Sequence, residues 1–322
     1  GGPYPGEELD GVDGVAAKFR VEGDTLRFET LLSHATMPFP QEVWEAVLSR
    51  TDSGSARVPE LARLNVRLGM EFELCAKTVL AKADMTLDDL DLCGVSGVTA
   101  AMIPAKPGAR HDIVDGHAAV LQIAEPAVIA DRLGCPVVGD FRQNDIAVGG
   151  NGSVYGVVAD RLLFAQPGVN RVRIHFAGIT SATFSPEAPD IAPLAYDACA
   201  GAVFLDRLVR KNTLDEERYD YRGDFAYDGE PDFTMLNYLH EGPFLTKDPP
   251  KIATRAQFAT NYADDFFNRG VHKGVRPSSL INTATRFVVQ AAVDSVKRFI
   301  RPVCEGIDDV IVSGGGVAND FL

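Results

Sequence analysis

The sequence predicts an α/β fold in two domains. Three observations carry that prediction. Strand-like and helix-like segments alternate along the whole chain. The 322 residues exceed one ordinary domain. A hairpin followed by strand–helix units occurs once in each half, which predicts two α/β domains with a ligand cleft between them. The division is expected after residue 168, giving domains 1–168 and 169–322.

In the first half, residues 14–21 and 24–32 read as strands joined by the turn-like Glu22-Gly23-Asp24. Residues 41–50 read as a helix. So do residues 59–83, where Leu61, Leu64, Leu68, Phe72, Cys75 and Val79 recur at steps of three or four and share one face. Residues 90–95 and 118–123 read as short buried strands, 127–133 as a helix, and 136–139 as a further strand. The second half opens with strands over 172–177 and 179–184 around Gly178. A strand ends at Asp197, and a helix is predicted over 201–211. Residues 215–250 are rich in Asp, Glu, Tyr, Gly and Pro and read as irregular surface. A long helix over 279–300 would bury Leu280, Ala284, Phe287, Val288 and Ala291. The strand 310–312 runs straight into Gly314-Gly315-Gly316.

Composition excludes several function classes. With 31 Lys and Arg against 45 Asp and Glu, the net charge is −14, so no nucleic-acid partner is expected. No apolar run approaches the ~20 residues that cross a bilayer. The first residues lack the pattern of a signal peptide, and no membrane partner is expected. Cys75, Cys93, Cys135, Cys199 and Cys304 lie far apart without a C-x-x-C pair. That fits reduced thiols in a cytoplasmic protein and disfavours structural zinc.

Asp140 is the sharpest chemical candidate. It follows Cys135-Pro136-Val137-Val138 and precedes Phe141-Arg142. A carboxylate at the C-terminal end of a buried strand faces the usual ligand crevice and can take a proton from water or a hydroxyl. It can equally cap a helix or pair with Arg142. Gly149-Gly150-Asn151-Gly152 is either a ligand-approaching loop or a turn. Ser313-Gly314-Gly315-Gly316 suits a nucleotide packing on bare backbone, or a tight turn. Asp10-Gly11-Val12-Asp13 could hold carboxylates near a metal-bound phosphate, or form a surface turn. Asp197 could hold Mg²⁺ through water, or cap the helix from Gly201. Lys251 and Arg255 could balance phosphate charge, or form a solvated basic face. His117 and His175 read as structural.

Taken in order, these segments resemble the anhydro-N-acetylmuramic acid kinase family over nearly the whole chain. The resemblance is carried by Leu9-Asp10-Gly11-Val12-Asp13, Leu121-Gln122-Ile123-Ala124-Glu125-Pro126 and Val137-Val138-Gly139-Asp140-Phe141-Arg142 with Asp145. It continues through Gly149-Gly150-Asn151-Gly152, Lys247-Asp248-Pro249-Pro250-Lys251 with Arg255 and Phe258, and Ser313-Gly314-Gly315-Gly316-Val317-Ala318-Asn319. It implies the two-domain actin-like (ASKHA) sugar-kinase fold, with ATP and Mg²⁺ in the interdomain cleft. It implies that water opens a 1,6-anhydro ring while the γ-phosphoryl group passes to O6. The product would be N-acetylmuramic acid 6-phosphate, made in cell-wall recycling. A homodimer is implied as well. The N-terminal domain would bind the small-molecule anhydro-sugar and the C-terminal domain the nucleotide. The family pattern runs on past Leu322, so the C-terminal domain is expected to lack its last elements.

By the same resemblance, Asp140 would be the general base with Arg142 beside it. Gly6, Asp10, Gly11, Gly178, Asp197, Gly201, Gly314, Gly315, Gly316 and Asn319 would face the nucleotide, with Asp10 and Asp197 at the metal. Ser96, Gly97, Thr99, Gln122, Asp145 and Gly150 would face the sugar. The family's G-T-S-x-D-G loop reads Gly6-Glu7-Glu8-Leu9-Asp10-Gly11, which places like charge where phosphates would sit. S-H-G-Q-T reads Val95-Ser96-Gly97-Val98-Thr99. N-I-G-G-I-x-N reads His175-Phe176-Ala177-Gly178-Ile179-Thr180-Ser181, and D-T-G-P-G-N reads Asp197-Ala198-Cys199-Ala200-Gly201-Ala202. These departures set an alternative expectation, an impaired kinase or a sugar-binding scaffold on the same fold.

Overall fold

The computed structural model describes residues 11–23, 25–51, 55–105, 116–154, 156–188 and 190–322. The candidates Gly6 and Asp10, with Glu7 and Glu8, lie outside the described residues. The chain is an α/β protein of two compact units, one ending at residue 155 and the other starting at Gly156.

The first unit opens with β1 (Gly11–Glu22) and β2 (Thr25–Pro38), an antiparallel hairpin. The helices α1 (Gln41–Thr51) and α2 (Val58–Lys82) follow. Val12, Ala16 and Ala35 of the hairpin are buried in one core with Leu64, Leu68, Cys75 and Val79, the predicted helix face. A Cβ at Gly14 would stand 2.8 Å from Cys75 Sγ, so glycine lets helix and ribbon close together. Next come β3 (Cys93–Gly94), β4 (Val98–Ile103), β5 (Ala119–Ile123), α3 (Pro126–Leu133), β6 (Val137–Val138) and α4 (Phe141–Ala147). β3 runs parallel to β6, and β4 antiparallel to β5. α3 starts at a proline, with the Glu125 side chain accepting the Ala127 amide, and stops at Gly134 in the left-handed region.

The second unit contains α5 (Val157–Phe164), β7 (Arg171–Phe176), β8 (Ile179–Ser185), β9 (Leu194–Ala200) and α6 (Ala202–Thr213). It continues through α7 (Asp224–Tyr227), α8 (Phe233–His240), α9 (Pro243–Thr246), α10 (Arg255–Phe258), α11 (Thr260–His272), α12 (Pro277–Ser295) and β10 (Asp309–Ser313). The sheet order is β10-β7-β8-β9, antiparallel except that β10 runs parallel to β7. Val172, Ile174 and Phe176 alternate into a core with Phe204 and Leu208 of α6 and Leu280, Phe287 and Val288 of α12.

Several elements differ from the expectation. α5 precedes residue 168 yet belongs to the second unit, because Asp160 pairs with Arg173 of β7 and the Phe164 carbonyl accepts from Arg171. Residues 215–250 contain three short helices; Asp232 starts α8 by accepting the Met235 amide at 2.8 Å. α12 ends at Ser295, and residues Val296–Ile300 form a π-helical turn. No helix among the described residues is long and apolar enough to cross a membrane.

Candidate functional site

In the first unit, the parallel pairing of β3 with β6 places two strand ends side by side. Cys93 N–H donates to the Pro136 carbonyl at 3.0 Å, and Val95 N–H to the Val138 carbonyl at 2.8 Å. Ser96-Gly97 and Gly139-Asp140 therefore leave the sheet next to each other, at the crevice where α/β sheets bind ligands. Asp140 is exposed and held at φ 55°, ψ 39°, just ahead of α4. Among residues with a side chain, Asp and Asn tolerate that region best, and it turns the carboxylate out at the strand end. The Asp140 side chain caps no amide of α4, so helix capping does not account for it.

Thr99 pairs with Gln122 across β4 and β5. Gln122 Nε2 donates to the Gly97 carbonyl at 3.0 Å, and Gln143 of α4 reaches the Val120 carbonyl at 2.7 Å. Ser96, Gly97, Thr99, Gln122 and Asp140 thus share one neighbourhood. Arg142, Asp145 and Gly150 have a second task, closing the 149–152 loop. Arg142 Nη1 donates to the Gly152 carbonyl at 2.7 Å, and Asp145 Oδ2 accepts the Gly152 amide at 2.7 Å. The Gly150 amide donates to the Asp145 carbonyl at 2.8 Å.

In the second unit, a cavity of about 350 Å³ is lined by Phe176, Ala177, Thr180, Gly201, Leu205, Asp206, Asp220, Gly315, Gly316 and Asn319, among others. Its wall is built on close backbone approach. A Cβ at Gly201 would stand 2.2 Å from the Ala177 carbonyl oxygen, and one at Gly314 2.3 Å from that of Phe176. Gly314 also sits at φ 95°. The Ala202 and Val203 amides at the start of α6 donate to the Ala177 and Gly178 carbonyls at 2.8 and 3.2 Å. Of the predicted residues, Gly201, Gly315, Gly316 and Asn319 line this cavity, whereas Gly178 and Gly314 are not part of its wall and adjoin it through the Val203 amide and the Phe176 carbonyl. Gly11 belongs to the first unit, at the start of β1 opposite Pro38.

The cavity is acidic. Asp206 and Asp220 are buried, and Arg222 is paired with Asp320 at 2.6 Å. Burial pushes the Asp220 carboxyl above its usual range, although it accepts the Phe225 and Ala226 amides. Asp197 is not part of this wall. It lies on β9, where its Oδ2 accepts the Ala253 amide at 2.8 Å and its amide donates to the Lys251 carbonyl at 3.1 Å. Among the described residues no three His, Cys, Asp or Glu side chains gather as a metal site.

Lys251 is neither solvated nor at the cavity. It is 1% exposed, with Nζ 3.2 Å from the Ala198 carbonyl and 3.3 Å from that of Phe244. The ring centroids of Phe244, Phe299 and Tyr196 lie 4.7, 5.2 and 5.8 Å from Nζ. Burial pushes its pKa down to about 8. Sequence reasoning also missed a cluster of Arg173, His175, Ser313 and Asp160. The alternation of β7, with Arg173 and His175 on the face opposite Ile174 and Phe176, was the available signal.

A sequence model of the family described as anhydro-N-acetylmuramic acid kinase matches residues 2–322. Curated relatives of that name from Salinibacter ruber and Bacillus cereus are each 31% identical over all of this chain, and the matches cover 79% and 81% of their own lengths. Among solved structures, component A of the (R)-2-hydroxyglutaryl-CoA dehydratase from Acidaminococcus fermentans aligns over 97% of this chain and 85% of its own. Its identity is 10% and its TM-score 0.42, a likeness too distant to carry an argument.

Proposed function

The chain belongs to the anhydro-N-acetylmuramic acid kinase family, and from that premise we propose that it is an ATP-dependent kinase of 1,6-anhydro-N-acetylmuramic acid. The residues that handle the sugar belong to the first unit and those that handle the nucleotide to the second. Asp140 takes a proton from water as the water oxygen bonds to the anomeric carbon. The C1–O6 bond breaks with its electrons on O6. That oxygen bonds to the γ-phosphorus as the bond to ADP breaks, leaving a 6-phosphate and a protonated Asp140. The observation that carries this reading is the exposed Asp140 carboxylate at the β6 end, beside Ser96-Gly97.

The cavity suits the nucleoside end of ATP. Its carboxylates, Asp206, Asp220 and Asp320, outnumber its one guanidinium, Arg222. Such walls accept ribose hydroxyls or an exocyclic amine and repel phosphate. The phosphates would then run toward Ala177-Gly178 and Gly314. A magnesium ion supplies charge neutralisation on the phosphates when bound, and it keeps most of its waters. Asp197, with Oδ2 on the Ala253 amide and outside the cavity wall, does not fit as its ligand.

The test is sugar-dependent ADP release. Wild-type protein should release ADP with 1,6-anhydro-N-acetylmuramic acid, and Asp140→Asn should lower the rate by at least about 10²-fold. An unchanged rate in Asp140→Asn would refute the assignment. The second reading, a sugar-binding scaffold, is favoured by the α6 amides of Ala202 and Val203, which are already bonded to carbonyls rather than open to a ligand. Calorimetry showing tight Mg-ATP binding would remove it.

A further inference from the structure

The β1–β2 hairpin has one face that neither the core nor the reaction uses. Along β1 the even positions turn to α2: Val12 and Ala16 are buried, and a Cβ at Gly14 would meet Cys75 and Val79. Side chains alternate along a strand, so Val15, Ala17, Phe19 and Val21 stand on the opposite face. The two register irregularities each place the extra residue on β2, so the alternation of β1 is unbroken. Cross-strand pairing sets Leu31 beside Ala17, Phe28 beside Phe19 and Leu26 beside Val21 on that same outer face. The Phe19 and Phe28 rings meet there edge to face, with centroids 5.7 Å apart.

This outer face is apolar and bare. Val15, Phe19, Val21, Leu26, Phe28 and Leu31 are 41–71% exposed. The charges lie on the other side. Lys18, Arg20 and Glu22 continue the α2 side of β1, where Arg20 pairs with Glu29 at 2.5 Å and Arg27 with Glu22 at 3.7 Å. A monomer seldom leaves more than a few hundred Å² of contiguous apolar surface in water, and this patch amounts to roughly 500 Å². None of residues 15–31 belongs to the motifs that carry the family resemblance.

We propose that the outer face of β1–β2 is the interface through which two copies of this chain pair, ribbon on ribbon, about a two-fold axis. Three features favour a second copy as the occupant. The first is charge. At −14 the chain repels itself over most of its surface. Between Asp13 and the turn at Gly23, however, this face carries no Asp, Glu, Lys or Arg, so two copies meet there without burying or opposing a charge. The second is size. Two such faces together bury roughly 1,000 Å², the lower bound for a specific interface, which sets a dimer that dissociates reversibly. The third is self-complementarity. The Phe19–Phe28 pair sits midway, with Val21 and Leu26 on one side and Ala17 and Leu31 on the other. A two-fold through the phenylalanines sets ring on ring and aliphatic pair on aliphatic pair, as an isologous contact requires. The pairing does not depend on the reaction assigned above.

Sedimentation equilibrium of the full chain from about 1 to 200 µM tests it. Wild type should pass from monomer toward dimer across that range. Phe19→Glu, which puts a carboxylate at the centre of the face, should weaken the pairing at least about tenfold, and so should Phe19→Lys. An equimolar mixture of the two variants should regain it, because opposite charges then meet across the interface. Lys18→Glu, one residue along but on the charged side, should leave the pairing unchanged. Wild type that stays monomeric at the highest concentration overturns the proposal. So does a dimer indifferent to Phe19→Glu, or a mixture of the two variants that stays monomeric. In the first case, binding of the monomer to neutral phosphatidylcholine vesicles would assign the face to a lipid surface instead. Should the Phe19 variants fail to fold, wild type alone decides. The methyl resonances of Val21, Leu26 and Leu31 should move with protein concentration while those of Val58, exposed on α2, stay fixed; resonances of the face that do not move overturn the proposal.

Discussion

Lys251 should leave a specific mark on stability. It is 1% exposed, and burial pushes its pKa from 10.5 to about 8. Between those values the unfolded chain carries a proton that the folded chain does not. The Lys251 contribution to folding stability must therefore rise with pH across the window from about 8 to 10.5. The gap of about 2.5 units corresponds to about 3 kcal/mol, at 1.36 kcal/mol per unit. The three surrounding rings favour the ammonium and work against the burial, so about 3 kcal/mol is an upper bound. Other groups titrate the opposite way. Burial pushes Cys199 and Tyr196 up to about 12, so they lose stability as pH rises past their ordinary values. A difference measurement cancels them. Lys251→Met keeps the length and removes the charge. Denaturant unfolding of both proteins from pH 7 to pH 10.5 should show the variant losing ground to wild type by up to about 3 kcal/mol. A difference that stays flat across that range would mean that Lys251 titrates normally, and the burial argument would fail.

Two further expectations follow from single positions. Gly314→Ala should destabilise by about 3 kcal/mol or more, because φ is 95° and the new Cβ would meet the Phe176 carbonyl at 2.3 Å. Gly168→Ala, at φ 77° with nothing within 4 Å, isolates the backbone strain and should cost about 1 kcal/mol; equal losses would show that the close approach does not matter. His175 is held neutral with its pKa near 4, so wild type should lose stability relative to His175→Phe as pH falls from about 6.5 to 4. Unfolding midpoints that fall in parallel would show the imidazole to be unperturbed.

The parts of the fold legible in the sequence were those with a long period. The α2 face, with Leu64, Leu68, Cys75 and Val79, was readable because 25 residues repeat the pattern several times. β4 was missed because its Ala100, Ala101 and Met102 carry no strand preference and only pairing with β5 defines it. α4, seven residues long, is too short to display a helical period. For the candidate site, the strand-end position of Asp140 was legible because an apolar run ends there. What Lys251 touches was not, since Phe299 lies 48 residues away in the chain and nothing local distinguishes a caged lysine from a solvated one.

Asp197 separates what a family pattern carries over from what local geometry adds. Its carboxylate and amide, with the Lys251 ammonium on the Ala198 carbonyl, join residues 251–253 to β9 close to Gly201, where the cavity wall begins. If its task is this join, Asp197→Asn should change little in the bonding, because an amide oxygen can still accept the Ala253 proton. What it removes is the negative charge that helps hold the Lys251 proton on. The Lys251 window should then begin below pH 8, and the stability rise seen in the difference from Lys251→Met should shift to lower pH. If Asp197 also served a metal, the variant would in addition raise the magnesium concentration needed for ADP release. The lysine window moves in either case, so the magnesium requirement is the readout that separates the two tasks. An unchanged magnesium requirement with a shifted stability curve would leave Asp197 with the join alone, and a raised requirement would place it at the metal.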